Sequence, residues 1–523
     1  MRRWLLVAAG FAGVVAAPGR SALAQTRSIE PAPVAWSPKD EAALAPHHAR
    51  AFLEMGGGLV LGTAGYWLLM KRNVADWDNP RPLSRFDGSA WVFDNNSIGV
   101  NFLGHPATGG LSYSFARANH HSVLGAFGYS FLTSFIWEFV IEFKEKVSVN
   151  DVLVTPSAGL PLGEFFYKLG LYLDTGHQNS WVADVARWTL GTGVALDRSL
   201  DGRAPPPVST HDNLGFSSEI WHQFVVHYGV LEVRAPREAR YARYELGVAG
   251  RLVTLQGYGR PRSSGRAFWG AEVSSFALQT ELSRYGTGLL VSADTILAGY
   301  HAQRFTRVGK RLQGESVTIG TSAGYEYLRS SANRYGSVEK AVSLPEPELG
   351  YHDPNRREQY GAWQLPGLAA DFRALRAGVA WEGSARIQPS FAGIGAEAFY
   401  PWAAENLDQR TKHILHRQGY FYGWGGALNV SSRLALGPLR AGFELMYGAY
   451  RSQDGLDRHP EQLTTDVPAK GDVLRYAGTL GIAPTPGLSL GLELGVRRFR
   501  SNVGGFELTA RSVQRGLRAQ WVF

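Results

Sequence analysis

The sequence predicts an α+β chain, with an N-terminal helical domain followed by an antiparallel transmembrane β-barrel of about twelve strands. Three observations carry this. At Asp201-Gly202-Arg203-Ala204-Pro205-Pro206-Pro207 the apolar pattern changes from long blocks to alternation. Beyond that point, short connections alternate with long ones. The composition pairs 62 glycines and 12% aromatics with a mean hydropathy near zero, which suits strands that show lipid only every second residue.

The alternation is clearest toward the end of the chain. Phe523, Trp521, Ala519 and Leu517 interleave with Val522, Gln520, Arg518 and Gly516. Leu488, Leu490, Leu492, Leu494 and Val496 interleave with Ser489, Gly491, Glu493, Gly495 and Arg497, and Leu439 to Gly448 and Leu474 to Ile482 behave alike. One face of such a strand fits lipid and the other a polar lumen. Soluble sandwich strands also alternate, but these are long, and their polar face is rich in Gly, Arg and Glu. Counting backwards, short turns are expected at 483–487, 436–438 and 383–384, and long loops at 452–471, 401–417 and 330–367. Further strands are expected near 313–329, 287–301, 267–283, 241–257 and 220–234. An even strand number puts both ends of the strand region on the periplasmic side.

The first residues predict export. Arg2-Arg3, the apolar run Trp4–Ala17 and the small residues Ser21-Ala22-Leu23-Ala24 read as a signal peptide cleaved after Ala24. The expected location is the outer membrane of a Gram-negative bacterium. The chain has no cysteine, which excludes disulfides and thiolate metal sites. A net charge of +8 suits outer-membrane lipids and lipopolysaccharide as partners. The basic residues are scattered along strands and loops, which argues against nucleic acid. Trp521 and Phe523 are expected to form the signal read by the barrel assembly machinery.

The organisation that follows is 1–24 signal peptide, 25–74 leader and first helix, 75–202 helical domain and 215–523 barrel. The first helix is expected over Glu41–Lys71 and the second over Ser122–Phe143. The second carries Ser122, Ala126, Ser130, Ser134, Glu138 and Glu142 at i+4 spacing. Small residues at that spacing let helices approach closely, and carboxylates on an apolar helix need partners. Ser148 reads as an N-cap, with Asp151 three residues on. Gly104 and Pro106 suggest a tight turn holding His105.

The order Asn101-Phe102-Leu103-Gly104-His105-Pro106, Tyr113, Ala116-Arg117, Trp137-Glu138, Glu142, Ser148-Val149-Asn150-Asp151, Thr155-Pro156, Gly159 and Gly163-Glu164 resembles a family of uncharacterised bacterial envelope proteins. That family is known only as a domain of unknown function, and in it a helical block precedes a barrel. The resemblance covers residues 75–202, implies location and architecture, and supplies no reaction.

The polar members of this block are His105, Arg117, Glu138, Glu142, Asp151 and Glu164, expected to form one buried cluster. Of these, His105, Glu138 and Glu142 are the candidates for catalysis or for holding a metal. No H-E-x-x-H, G-x-S-x-G or Walker loop occurs, and no cofactor is implied. The leading expectation is a non-enzymatic pore or envelope-organising protein, whose helices plug the barrel or sit beneath it, gating a small pore or docking a periplasmic protein. The alternative is an outer-membrane lipid-modifying hydrolase, for which His211-Asp212-Asn213, His413 and His416 are further candidates. A structural scaffold or adhesin is the third.

Overall fold

The computed structural model describes residues 37–38, 41, 43–69, 79–94, 96–175, 181–203, 206, 210–234, 240–330, 358–409, 411–453 and 465–523. The expected signal peptide lies outside them.

Two short strands of the N-terminal part, β1 (Trp91–Val92) and β2 (Val147–Ser148), pair in parallel. The C-terminal part is a closed antiparallel barrel. Its wall strands are β3 (Trp221–Arg234), β4 (Tyr241–Val253), β6 (Val273–Ser283), β7 (Gly286–Val308), β8 (Arg311–Arg329), β9 (Gln359–Arg376), β10 (Val379–Gly395), β11 (Tyr420–Leu436), β12 (Leu439–Ser452), β13 (Ala469–Thr485), β14 (Leu488–Val503) and β15 (Phe506–Val522). Each pairs with its neighbours, and β15 returns to β3 with Trp521 opposite Val226. That makes the twelve strands expected. A short β5 (Ser263–Phe268) takes the edge of β7 at Gly299–Arg304, where β6 is no longer present.

Several boundaries differ from the sequence reading. The strand expected at 267–283 is broken at Gly270-Ala271, where Ala271 has φ +59°. The turn expected at 383–384 is strand interior, with Gly383 paired to Phe372 and Ser432. The turn lies instead at Ala377-Gly378, because Gly378 supplies the φ of +77° that a tight hairpin requires. Residues 359–367, expected in a loop, begin β9.

Strand parity separates two faces. Arg497 of β14 reaches Glu281 of β6, Arg475 of β13 lies 3.3 Å from Glu326 of β8, and Arg386 of β10 lies 2.7 Å from Asp294 of β7. These strands are not neighbours, so the pairs cross the lumen. Arg243 and Glu245, 2.7 Å apart, are both fully buried there. The opposite parity carries Leu480, Ile482, Leu490, Leu492, Leu494 and Leu517, all exposed. At the end nearest Phe523, the connection from β4 to β6 folds inward, and Leu255, Tyr258 and Phe268 pack with Val253, Val273 and Ile296. At the far end α7 (Phe399–Glu405) and α8 (His413–Gln418) place Phe399, Trp402 and Leu415 over Phe421, Val467 and Val503.

The N-terminal helices neither plug the lumen nor hang below it. They pack on the outward face of the wall. The principal helices are α1 (His48–Leu69), α2 (His105–Ala118), α3 (Val123–Ile136) and α4 (Val149–Leu173), with α5 (Trp181–Leu190) and α6 (Thr192–Leu200) at the base. α1 begins later than expected because Pro46 precedes it, and His47 O accepts the first helical bond from Ala51 N–H at 3.0 Å. α3 starts on its Ser122 cap, whose hydroxyl accepts from Gly125 N–H at 3.1 Å, and continues as a π-turn, Trp137–Ile141. The expected tight turn at His105 is helical: a π-turn, Val100–Gly104, runs directly into α2.

α4 has 25 residues, or roughly 37 Å at helical rise, enough to run the height of a ~30 Å hydrocarbon layer. Its beginning lies beside Tyr422 at the far end of β11. Its Phe165 stacks on Phe276 of β6 at 5.3 Å, on the same parity as exposed Leu282. Phe102, fully buried, fills a socket between β9 and β10: a Cβ at Gly361 would lie 2.2 Å from its Cβ, and one at Gly393 would lie 2.5 Å from its ring. The other side of the bundle shows Leu53, Leu61, Leu68, Leu124 and Val140, all exposed. The segment Val123–Ile141 is long and apolar enough to cross a membrane, and little of it is buried.

α2 and α4 touch backbone to backbone. A Cβ at Gly159 would lie 2.5 Å from Gly109 C, and one at Gly163 would lie 2.5 Å from Gly110 O. Gly159 and Gly163 thus form a small-xxx-small seam, the spacing that lets two helices approach closely. Gly159→Val is expected to force α2 and α4 apart while the barrel still closes. The check is limited proteolysis: cleavage within 90–200 should quicken several-fold, while the heat-dependent gel shift of the barrel persists.

Candidate functional site

The sequence-predicted cluster divides into two, and a third group lies at the base of the bundle.

The upper group sits at the level of the far ends of β8 to β11. Its centre is Asp94, whose carboxylate accepts from Asn101 Nδ2 at 2.6 Å, Tyr422 OH at 2.8 Å and Asn150 Nδ2 at 3.2 Å. Tyr420 OH donates to Asn96 O at 2.8 Å. Asn150 also donates to Asp151 Oδ1 at 2.9 Å, and Asp151 Oδ2 lies 3.5 Å from His105 Nε2. Ser148 Oγ accepts from Asp151 N–H at 3.4 Å, as a cap should. Glu138, fully buried, accepts from Ser148 N–H at 3.1 Å through Oε2. Glu142 accepts from Trp137 Nε1 at 2.9 Å. Arg85 donates to the backbone oxygens of Glu138 and Glu145, and Tyr66 OH to the Glu145 carboxylate. His105, Glu138, Glu142 and Asp151 are therefore neighbours on the join between bundle and barrel.

Arg117 and Glu164 belong elsewhere. Arg117 Nε donates to Glu164 Oε2 at 2.8 Å, and Tyr113 OH donates to the same oxygen at 2.8 Å. Lys168 Nζ lies 3.5 Å from Glu164 Oε1 and donates to Ser274 Oγ of β6 at 2.8 Å. This chain of charges ties α2 to α4 and α4 to the wall. Arg117 is not Glu138's partner: Glu138 is met by the Ser148 amide instead.

The basal group was not anticipated. Arg50 and Arg203 bridge Asp197 and Asp201, with Arg203 at 2.8 Å from each carboxylate. His47, His120, Asp197 and Asp201 bring their ligand atoms within 4.8 Å of one another. Two guanidinium groups already occupy those carboxylates, which makes this donor set a poor fit for a cation. Burial first, then the charge of Arg203, push the His120 imidazole down to about 4.

Of the other candidates, Asp212 is held by Tyr172 OH at 2.7 Å and by the Leu214 and Phe216 amides. His211 forms an isolated backbone bridge to Ser217. The side chains of His413 and His416 lie outside the described residues. Trp521 faces outward, and Phe523 exchanges backbone hydrogen bonds with Phe224 at 2.9 and 3.2 Å. Sequence reasoning missed Asp94, Tyr420, Tyr422 and Lys168 as site members. The two tyrosines stand where an aromatic belt belongs, so nothing local marked them as hydrogen-bond partners.

A family model described as a domain of unknown function, DUF3943, matches residues 90–192. No curated protein matches the chain. Solved structures that resemble it include the NanC porin (8% identity, TM-score 0.24, covering 56% of this chain and 98% of that one). Another is the β domain of the Bordetella autotransporter BrkA (12%, 0.19, 57% and 98%). A third is OmpT of Vibrio cholerae in its trimer form (7%, 0.14, 58% and 99%).

Two outcomes are expected. Glu164→Ala leaves Arg117 without its carboxylate, a loss of about 3–5 kcal/mol for a buried pair. Glu138→Gln keeps an acceptor for the Ser148 amide and should be far milder than Glu138→Ala. Denaturant unfolding of the bundle, followed by tryptophan fluorescence in detergent, ranks the three. Acid should also act at the base. His120 has a lower pKa folded than its unfolded value near 6.5, so the unfolded chain takes up the proton first and stability falls as pH drops from about 6.5 toward 4. His120→Gln should remove that component, read as the difference between the two pH profiles.

Proposed function

We propose that the protein is an outer-membrane scaffold: a non-conducting barrel that anchors a lipid-embedded helical bundle and organises the envelope around it. One observation carries this reading. The lumen is crossed by ion pairs, whereas the outward wall seats the helices. An aqueous channel needs an open, polar lumen. Here Arg497–Glu281, Arg475–Glu326 and Arg386–Asp294 span it, and apolar clusters fill both mouths. The apolar outer side of the bundle favours lipid as its surroundings, and the barrel favours the outer membrane. Export through a signal peptide cleaved after Ala24, and assembly by the barrel machinery through Trp521 and Phe523, belong to the same reading. A periplasmic protein partner would meet the basal group, at the end of the barrel nearest Phe523.

A second reading, a lipid-modifying hydrolase, is favoured by His105. Its Nε2 lies 3.5 Å from Asp151 and has no hydrogen-bond partner among the described residues, beside two glutamates in the bundle. Against it, the nearby hydroxyls are engaged: Ser134 donates to Asp151 O at 2.9 Å and Ser148 to Asn150 Oδ1 at 3.0 Å.

Planar-bilayer recording tests the first reading. The full chain, and a chain lacking residues 25–202, should both give no porin-sized steps, since the helices do not occlude the lumen. Discrete steps from the full chain would sink it. For the second reading, lipid profiles of cells carrying His105→Ala should match wild type; a lost lipid product would favour the enzyme.

A further inference from the structure

The bundle's contacts with the outward wall run between β3 and β11, and on β13 to β15 outward residues such as Leu480, Leu492, Leu494 and Leu517 are exposed. On this side of the barrel, at the far end of the strands, lies an accumulation of positive charge. By parity Arg451 of β12, Lys470 of β13, Arg498 and Arg500 of β14 and Arg511 of β15 all point outward. Two carboxylates share this face. Asp472 holds Arg498 at 2.8 Å, and Glu507 holds Arg500 at 2.7 Å. Arg451 and Lys470 have no ion pair among the described residues, yet they sit directly opposite each other in the strand register. Arg498 and Arg511 are likewise registered opposite each other. Like charges in directly opposed positions destabilise a sheet. Asp472 offsets the second pair through Arg498, and the first, Arg451 with Lys470, calls for an anion.

The geometry around them suits one. Trp424, Tyr447, Arg451, Lys470, Asp472 and Arg500 line a groove of about 500 Å³. Below it the same outward face turns apolar, with Phe443, Leu480, Leu492, Leu494 and Leu517 exposed. Cations at the rim over an aliphatic wall match an amphiphile with phosphates on its headgroup and acyl chains beneath.

We propose that this groove is a binding site for a phosphorylated glycolipid of the outer leaflet, of the lipopolysaccharide class. Arg451 and Lys470 bind one phosphate between them, Arg500 contributes from the opposite side of the groove, and the acyl chains lie along β12 to β15. The proposal rests on the outer-membrane reading, but its test is made on purified protein and does not depend on conduction or on the helical bundle.

Full-length protein in detergent is titrated with diphosphorylated lipid A, enzymatically dephosphorylated lipid A and phosphatidylglycerol, with native mass spectrometry as the readout. Tighter binding of the diphosphorylated lipid, by at least about tenfold over the other two, is expected. The triple variant Arg451→Gln, Lys470→Gln, Arg500→Gln should lose that advantage while keeping its heat-dependent gel shift. Equal binding of the dephosphorylated lipid, equal binding of phosphatidylglycerol, or unchanged affinity in a folded triple variant each overturns the proposal. If the triple variant loses its heat shift, Lys470→Gln alone replaces it, and the comparison of lipids on wild-type protein decides independently.

Discussion

Hydrocarbon offers no water, so every polar group this chain carries into that layer must find its partner within the chain. The backbone meets the demand by closing the meander: β15 returns to β3 and β7 pairs with β8, so the twelve wall strands form one ring. The side chains meet it by segregation. Arginines and carboxylates occupy the luminal parity and pair across it. An isolated buried charge would cost many kcal/mol, and the luminal residues are arranged so that Arg243, Glu245, Glu281 and Arg497 share one chain of contacts.

The same constraint explains the helical bundle. On the proposed reading lipid surrounds the bundle, and there is then little hydrophobic gain on helix association, because lipid is as apolar as the helix faces. Close packing and polar contacts must supply the attraction. Gly109 and Gly110 against Gly159 and Gly163 give the first. The Arg117–Glu164–Lys168–Ser274 chain and the Asp94 hub give the second. Phe102 in its glycine socket and Phe165 stacked on Phe276 fix the register of bundle on wall, the aromatic pair adding about 0.5–1.5 kcal/mol beyond its buried area. The outward wall thus has two uses. Part of it meets lipid, and part of it meets protein.

The division is visible in which residues stay apolar. Leu490, Leu492 and Leu494 are exposed on the outward face, and as aliphatic side chains they need no polar partner. On the protein-facing part, outward positions carry Ser274, Tyr325 and Tyr422, whose polar atoms bond to the helices. A tyrosine at a strand end serves either role equally well, and only its neighbour decides which.

Barrel, strand number and the helical character of the first half were legible in the sequence, because strand and helix periods are local properties of neighbouring residues. So were the Ser148 cap with its Asp151 amide and the small-residue face of α3, where Ala126, Ser130 and Ser134 are buried. The exact turn of the β9–β10 hairpin was not, since alternation continues through Gly383 and the choice of Gly378 depends on pairing with β8 and β11. Nor was the division of the six polar residues. Arg117 and Glu138 look like partners in a chain read end to end, but Arg117 lies at the C-terminal end of α2 and Glu138 just past the C-terminal end of the antiparallel α3, and each meets a residue from α4 or its cap instead. The side of the wall on which the helices lie was likewise a tertiary decision. Both faces of a barrel strand accept large side chains, and what selects the outer one is the complementarity of Phe102 to a pair of glycines brought together from strands β9 and β10.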